Sequence, residues 1–279
     1  MTSPQALSIA TAVRLSSGYD MPILGLGVFQ NYDCVPACLA ALKNGYRHID
    51  TARYYRNEDQ VGQAVRQSGV PREEVFVTTK VYDQEQGYES TLRAVDDSLK
   101  KFGYDYFDLY LIHSPLPGKE RRLKTWRALI DAKKAGKIKS IGVSNYGAKH
   151  IEEIRAAGLE LPAVNQVEIH PFCQQRPIAK YCKEHGIVVE AYSPLVQGRL
   201  DDPVLLRLAK QYNKDAAQIA IRWSLQHGFV PLPKSSRPER VLTNSQVYDF
   251  ELSEEDMAAL DTLDKGKAGA ITWNPVDAP

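Results

Sequence analysis

Eight short β-like runs, each followed by a helix-like segment, constrain this chain more than any other feature of its sequence. The runs are LGLGVF (24–29), RHIDT (47–51), VFVTTK (75–80), FDLYLIH (107–113), SIGVSN (140–145), AVNQVEIH (163–170), IVVEAYS (187–193) and FVPLPK (229–234). Helix-like patterns lie between them, among them Val35–Asn44, Asp59–Ser68, Glu89–Lys101, Lys119–Ala135, Ile178–His185, Ala216–His227 and Glu239–Gln246. Strands alternating with helices argue for a parallel sheet with helical crossovers, and runs as apolar as LYLI and IVVEA suit strands covered on both faces. Closing eight such units on themselves makes an α/β fold of the (β/α)8 TIM-barrel type, and 279 residues lies in the range such barrels occupy. One (β/α)8 barrel domain spanning 1–279 is therefore expected.

The flanks add two elements. Ala12–Leu15 and Met21–Leu24 surround Ser16-Ser17-Gly18-Tyr19-Asp20 and read as a β-hairpin placed to close the barrel bottom. Ser253–Leu263 reads as an extra C-terminal helix, with Ser253 as N-cap and Asp256 at the third helical position. A tail rich in Gly, Ala and Pro follows and carries Trp273.

Composition narrows the function classes. A net charge of +1 gives no support for nucleic-acid binding, which relies on a clustered basic surface. No apolar run approaches the roughly 20 residues that cross a bilayer, and MTSPQALSIATAVRLSS lacks the basic start and apolar stretch of a secretory signal. Cys34, Cys38, Cys173 and Cys182 form no CxxC pair. Cys34 and Cys38 stand one helical turn apart, but no matching His or Cys cluster accompanies them. They read as reduced cysteines of a cytoplasmic protein rather than as a metal or redox pair.

In (β/α)8 barrels chemistry gathers at the C-terminal ends of the strands. Here those ends carry Val28 and Phe29, Asp50, Lys80, His113, Ser144 with Asn145, Gln166 with Glu168, Tyr192 and Lys234. The most informative stretch is GYRHIDTARYYRNE (45–58), in which Asp50 ends a strand and Tyr55 follows five residues later. A free tyrosine, with a pKa of about 10, is too weak an acid to protonate an alkoxide efficiently near neutral pH. A neighbouring cation lowers that pKa, and Lys80 is the candidate. Asp50 would keep Lys80 charged and oriented, while His113 would donate a hydrogen bond to a substrate carbonyl. Taken singly, each residue has a plainer role. Asp50 suits a helix cap, Tyr55 is one of 15 tyrosines and suits core packing, Lys80 suits a solvated strand end, and His113 before Ser114-Pro115 suits a turn. Four of them at successive strand ends argue for chemistry.

These motifs resemble the aldo-keto reductase superfamily over almost the whole chain. GYRHIDTARYYRNE is similar to its first signature, VTTK and LIHSP to the strands ending in its lysine and histidine. KIKSIGVSNY, LPAVNQVEIHP, AYSPL and PLPKSSRPERVLTN match later motifs. The resemblance implies a monomeric, metal-free oxidoreductase that reduces aldehydes or ketones with NADPH, with Asp50, Tyr55, Lys80 and His113 as catalytic tetrad. It also implies that Ser144, Asn145 and Gln166 hold the nicotinamide carboxamide and that Tyr192 stacks on the ring. Lys234, Ser235 and Arg240 would bind the adenosine 2′-phosphate and Asn244 the adenine, with Val28, Asp50, Ser193, Leu195 and Ser236 completing the cofactor set. Arg offers a rigid donor fork for a phosphate and Lys a point charge, so NADPH is expected over NADH. Gly25-Leu26-Gly27-Val28-Phe29-Gln30 begins like a dinucleotide fingerprint but has Gln at the third glycine. Its glycines are expected to allow close backbone approach at the barrel mouth.

Where family members often have Trp after the histidine, this chain has Ser114. A wider or more polar pocket edge is expected there, with Phe29, Tyr54, Tyr82 and Trp273 as aromatic walls. His113 and Ser114 complete the substrate set. The segments 116–121 and 196–203 are short, which favours an open site and small or medium aldehydes, α-keto compounds or sugars. Two other readings stand beside this one. A non-catalytic NADPH-binding sensor or structural protein on the same fold is argued against by the intact tetrad. A metal-dependent barrel hydrolase using Asp50, His113, Glu168 and His170 lacks the HxH pair on its first strand-like run.

Overall fold

The structure, a computed structural model, describes residues 6–279. Eight parallel strands follow the chain in order around one sheet: β3 (Leu26–Gly27), β4 (His48–Asp50), β5 (Phe76–Val81), β6 (Phe107–Ile112), β7 (Ile138–Ser144), β8 (Val164–Glu168), β9 (Val188–Tyr192) and β10 (Val230–Leu232). Each pairs with its neighbours in sequence, as short right-handed βα units dictate. The sheet closes where Gly25 N donates to Pro231 O and Gly27 N to Pro233 O, both at 3.1 Å. All eight strands coincide with the runs read from sequence.

The two glycines explain the seam. A Cβ on Gly25 would stand 2.6 Å from Leu232 Cδ2 and 2.9 Å from His48 Nδ1, and one on Gly27 3.1 Å from Leu232 O. Only glycine lets β3 come close enough to β10 to bond it.

Alternation along the strands sorts side chains into two layers. Outward-facing residues such as Ile49, Val77, Tyr110 and Val143 pack beneath the helices. Inward-facing Phe76, Leu109, Leu111, Val164 and Val230 fill the barrel's lower half. The expected hairpin, β1 (Ala12–Arg14) and β2 (Asp20–Pro22), is antiparallel and plugs this end with buried Leu15 and Met21. Each such side chain removed from water contributes about 1.5–3 kcal/mol. Above this apolar floor the barrel interior turns polar.

The crossover helices are α1 (Val35–Lys43), α2 (Glu58–Ser68), α3 (Tyr88–Phe102), α4 (Lys119–Lys134), α5 (Ala148–Ala156) and α6 (Arg176–Glu184). They are followed by α7 (Pro203–Tyr212), α8 (Ala216–Gln226), α9 (Pro238–Ser245) and α10 (Glu254–Asp261). Two of these were not among the segments singled out in the sequence. One is α5, which starts after Gly147 with no side-chain cap, and the other is α7, a second helix in the β9–β10 connection. It begins at Pro203 after Asp202, whose Oδ1 accepts from Val204 N at 2.9 Å, the usual signature of an N-cap followed by proline. Helix α10 starts as expected, with Ser253 Oγ accepting from Asp256 N at 3.1 Å. No helix among the described residues is long and apolar enough to cross a membrane.

Candidate active site

Asp50 and Lys80 leave β4 and β5 pointing into the polar upper half of the barrel, and both are buried. Lys80 Nζ donates to Asp50 Oδ1 at 2.7 Å, to Asp50 Oδ2 at 2.8 Å and to Thr51 O at 2.9 Å. Its remaining polar neighbour is the Tyr55 hydroxyl at 3.4 Å. Tyr55 ends a 3-10 turn, Arg53–Tyr55, that stops at Arg56 in the left-handed region (φ 57°). Arg53 anchors this turn to α3 and its approach, donating to Glu85 Oε2 at 2.6 Å and to Ala94 O at 3.1 Å. The residue that presents the phenol is thus held from behind by a half-buried ion pair.

Burial pushes the Tyr55 phenol above its ordinary pKa; Lys80 pulls it down and Asp50 pushes it up, and the sum stays above the ordinary value. This corrects the expectation that the cation leaves a more acidic phenol. Lys80 does act in that direction, but the loss of water outweighs it in the free protein. Lys80 itself is pulled down by burial, yet Asp50 and Tyr55 more than offset this and hold the ammonium charged.

His113 follows β6, and its ring centroid lies 5.8 Å from that of Tyr55. Burial, assisted by Lys80, lowers its pKa to about 3, so the imidazole is neutral. Its Nδ1 is buried without a partner, which leaves Nε2 as the nitrogen a ligand can reach. A neutral ring able to donate from one nitrogen suits a carbonyl oxygen better than an imidazolium competing with Lys80 would.

The adjoining strand ends form a chain of amides and hydroxyls. Ser144 Oγ donates to Gln166 O at 2.9 Å, Asn145 Nδ2 to His113 O at 3.1 Å, and Tyr192 Oη to Asn145 Oδ1 at 2.8 Å. Asn145 adopts the left-handed conformation (φ 62°), as Asn tolerates better than most residues. Gln166 spends both amide hydrogens on carboxyls, donating to Asp50 Oδ2 at 2.8 Å and to Glu190 Oε2 at 2.7 Å. Its Oε1 is left to meet an external donor, which fits the amide of a nicotinamide. Val28 is buried at the mouth, its backbone N bonded to Asp50 O. Ser193 and Leu195 are half-buried just beyond β9.

Beyond the C-terminal end of β10, Lys234, Ser236 and Arg240 are exposed, whereas Ser235 and Asn244 are buried. They flank the N-terminus of α9, whose dipole favours an anion, while Pro238 has no N–H and the Arg240 and Val241 amides already donate to Arg237 O. Arg237, exposed in the same turn, adds a cation not singled out in the sequence. This set fits a phosphate.

The aromatic walls are present and open. Phe29 lies 5.0 Å from Tyr55, Tyr54 stacks on Tyr82 at 5.0 Å, and Trp273 stands edge-on to His113 at 6.1 Å. Phe29, Tyr54 and Trp273 are between 41% and 52% exposed, a large apolar surface to leave in water around one cleft. Ser114 departs from expectation. It is fully buried, its Oγ donates to Asp83 Oδ1 at 2.7 Å and its carbonyl accepts from Gln86 Nε2 at 2.8 Å. The hydroxyl braces the loop after β5 instead of lining the pocket edge.

Glu168 and His170, weighed above as metal ligands, are otherwise engaged. Glu168 accepts from Ile271 N at 2.6 Å, Thr272 N at 3.1 Å, the Thr272 hydroxyl and His170 Nε2 at 2.9 Å. This carboxylate ties the C-terminal tail, and with it Trp273, to the barrel mouth. The four cysteines are free and buried.

Two residues at the centre escaped the sequence reading. Glu190 and His48 both point into the barrel beneath Asp50, with His48 Nε2 3.4 Å from Glu190 Oε1. The signal was available: a Glu interrupts the apolar run IVVEA at a position that pairs in register with Gln166.

A parallel barrel with an ammonium clamped by a carboxylate under a tyrosine, and a neutral histidine beside it, defines an oxidoreductase-like site of one well-known kind. The chain belongs to the aldo/keto reductase family, whose model matches residues 25–265. It is 48% identical over 262 residues to the glyoxal reductase of Bacillus subtilis, covering 92% of this chain and 94% of that protein. It is 47% identical over 262 residues to the 9,11-endoperoxide prostaglandin H2 reductase of Trypanosoma cruzi, covering 91% and 92%. Among solved structures, the Bombyx mori aldo-keto reductase in complex with NADP matches with a TM-score of 0.89 at 36% identity, covering 98% and 99% of the two chains.

Proposed function

We propose that the protein is an NADPH-dependent carbonyl reductase in which Tyr55 is the general acid, Lys80 and Asp50 tune and brace it, and His113 orients the carbonyl. The observation that carries this reading is Lys80 Nζ, 2.7 and 2.8 Å from the two Asp50 oxygens and 3.4 Å from Tyr55 Oη. NADPH, when bound, supplies the hydride. Ser144, Asn145 and Gln166 would hold its carboxamide, Tyr192 its ring, and Lys234, Ser235, Ser236 and Arg240 its 2′-phosphate; the NADP complex of the Bombyx mori relative supports the choice of cofactor.

The remaining steps belong to the chain. His113 Nε2 donates to the carbonyl oxygen and fixes its direction between imidazole and phenol. As negative charge develops on that oxygen, Tyr55 passes its proton over, and the ammonium 3.4 Å away stabilises the phenolate left behind. Asp50 holds Lys80 in place throughout. The half-exposed ring wall of Phe29, Tyr54 and Trp273 favours small or medium aldehydes, α-keto compounds or sugars. The glyoxal reductase relative supports the small dicarbonyl end of that range.

The test is NADPH consumption with a carbonyl panel that includes glyoxal, repeated with NADH and with Tyr55→Phe. Tyr55→Phe is expected to lose about 10²–10⁴-fold in kcat while binding NADPH as the parent does. Bound NADPH with no reduction of any carbonyl would instead identify a cofactor-binding protein without this chemistry.

A further inference from the structure

Glu190 sits at the centre of the barrel, fully buried, with no cation of its own. On β8 it faces Gln166, whose Nε2 donates to its Oε2 at 2.7 Å. On β4 it faces His48 and Asp50, and on β5 Lys80, which is committed to Asp50. Tyr55 above also feels its charge, and its register neighbour on β10 is apolar Val230. Among these side chains it is Glu190 Oε1 that is buried without a hydrogen-bond partner.

The protonation of this carboxyl follows from His48. Its Nδ1 lies 3.3 Å from Pro22 O, an atom that only accepts, so Nδ1 carries the ring proton. Nε2 is then a lone pair, facing Thr78 Oγ1 at 3.1 Å and Glu190 Oε1 at 3.4 Å. A second proton on the ring is disfavoured, because burial lowers the imidazole pKa to about 3. The Thr78 hydroxyl can donate to that lone pair, so His48 has no hydrogen for Oε1; an ionised Oε1 would lie buried with no donor at all, whereas a carboxyl hydrogen on Oε1 removes that charge.

We propose that Glu190 is a positioning residue, carried as a neutral carboxylic acid, that fixes the Gln166 amide with its oxygen toward the mouth and leaves Asp50 as the one full negative charge beside Lys80. The assignment rests on the reading above, in which Tyr55 delivers the proton and Gln166 meets the nicotinamide. Asp50 takes one amide hydrogen of Gln166 and Glu190 takes the other. Flipping the amide would set its oxygen against two carboxyl oxygens. With Glu190 neutral, Asp50 and Lys80 cancel; an ionised Glu190 would leave a net negative charge beneath Tyr55 and make its phenol a weaker acid. Burial and the Asp50 charge push the Glu190 pKa up to about 8, in the same sense.

Infrared difference spectra of the parent against Glu190→Gln read the proton directly. A protonated-carboxyl stretch belonging to Glu190 is expected at pH 6.5 and its loss at pH 9.5; its absence at pH 6.5 would overturn the proposal. Glu190→Gln reproduces both the acceptor and the N–H donor the neutral acid provides, so its kcat at pH 6.5 should stay within about twofold of the parent, without the parent's alkaline decline. Glu190→Ala should raise the NADPH Kd about tenfold by freeing Gln166, with Glu190→Gln restoring it. A tenfold loss in Glu190→Gln at pH 6.5, or a Kd as poor as that of Glu190→Ala, would refute positioning. If the parent reduces no carbonyl, the spectrum and the NADPH Kd still decide the role of Glu190, while the reductase reading fails separately.

Discussion

Glu168→Gln tests whether a single buried carboxylate controls the substrate wall. Each Glu168 oxygen receives two donors: Oε1 those of Ile271 N and His170 Nε2, and Oε2 those of Thr272 N and the Thr272 hydroxyl. The substitution turns one oxygen into an NH2 group, so in either orientation one backbone N–H, that of Ile271 or of Thr272, faces another donor, while the His170 ring or the Thr272 hydroxyl can turn to accept. A stranded donor costs about 1–3 kcal/mol, which puts the loss at about 2 kcal/mol. The tail can relieve this by undocking into water, whereas strand β8 cannot, so the loss falls on residues 270–279 before the barrel. Hydrogen exchange should show the Ile271 and Thr272 amides losing about 30-fold in protection while β8 amides hold theirs. Trp273 leaves its place beside His113, so KM for an aromatic aldehyde should rise about tenfold, with kcat within about twofold because no tail residue bonds Tyr55, Lys80 or Asp50. The pH dependence has a definite sign. Burial pushes Glu168 up, but the bonds from His170, Thr272 and Ile271 outweigh it and hold the carboxyl below its ordinary range. Its stabilisation is present above that range and lost as pH falls through the depressed value, so acid should loosen the parent's tail and change the variant's far less. Tail amides exchanging in Glu168→Gln as slowly as in the parent would refute the argument.

Lys80→Met leaves Asp50 buried with Gln166 Nε2 as its remaining side-chain donor; kcat should fall about 10³-fold and stability by about 3 kcal/mol, read by single-turnover kinetics and denaturant unfolding. Glu190→Gln should stabilise the fold at alkaline pH. Because the parent's pKa is raised to about 8, the stability Glu190 allows is full below about pH 4.5 and declines as pH rises toward 8. The slope is about 1.4 kcal/mol per pH unit, so denaturant midpoints of variant and parent should converge in acid and separate at pH 8. Replacing both Lys234 and Arg240 by Ala should raise the NADPH Kd about 100-fold and the NADH Kd about twofold at most, by fluorescence titration.

Much of this protein was legible because barrel strands carry their own signature. An apolar run covered on both faces, repeated eight times between helical segments, leaves few folds available, and every run became a strand. The positions of Asp50, Lys80 and His113 followed, since a strand's last residues must stand at the mouth. Periodicity also read α10 and its Ser253 cap, which depend on residues three apart. The sequence by itself therefore determined the architecture and the polar ring. Tertiary structure decided what depends on residues far apart in the chain. Burial set the direction of the Tyr55 pKa, turned the Ser114 hydroxyl to Asp83 and gave Glu168 to a tail 103 residues away. It also brought Glu190 of β9 against Gln166 of β8 and His48 of β4. The physical reason is common to all four. Hydrogen bonding and desolvation act across a few ångströms of space, and the linear chain records which residues are available for such contacts but not which of them lose their water together.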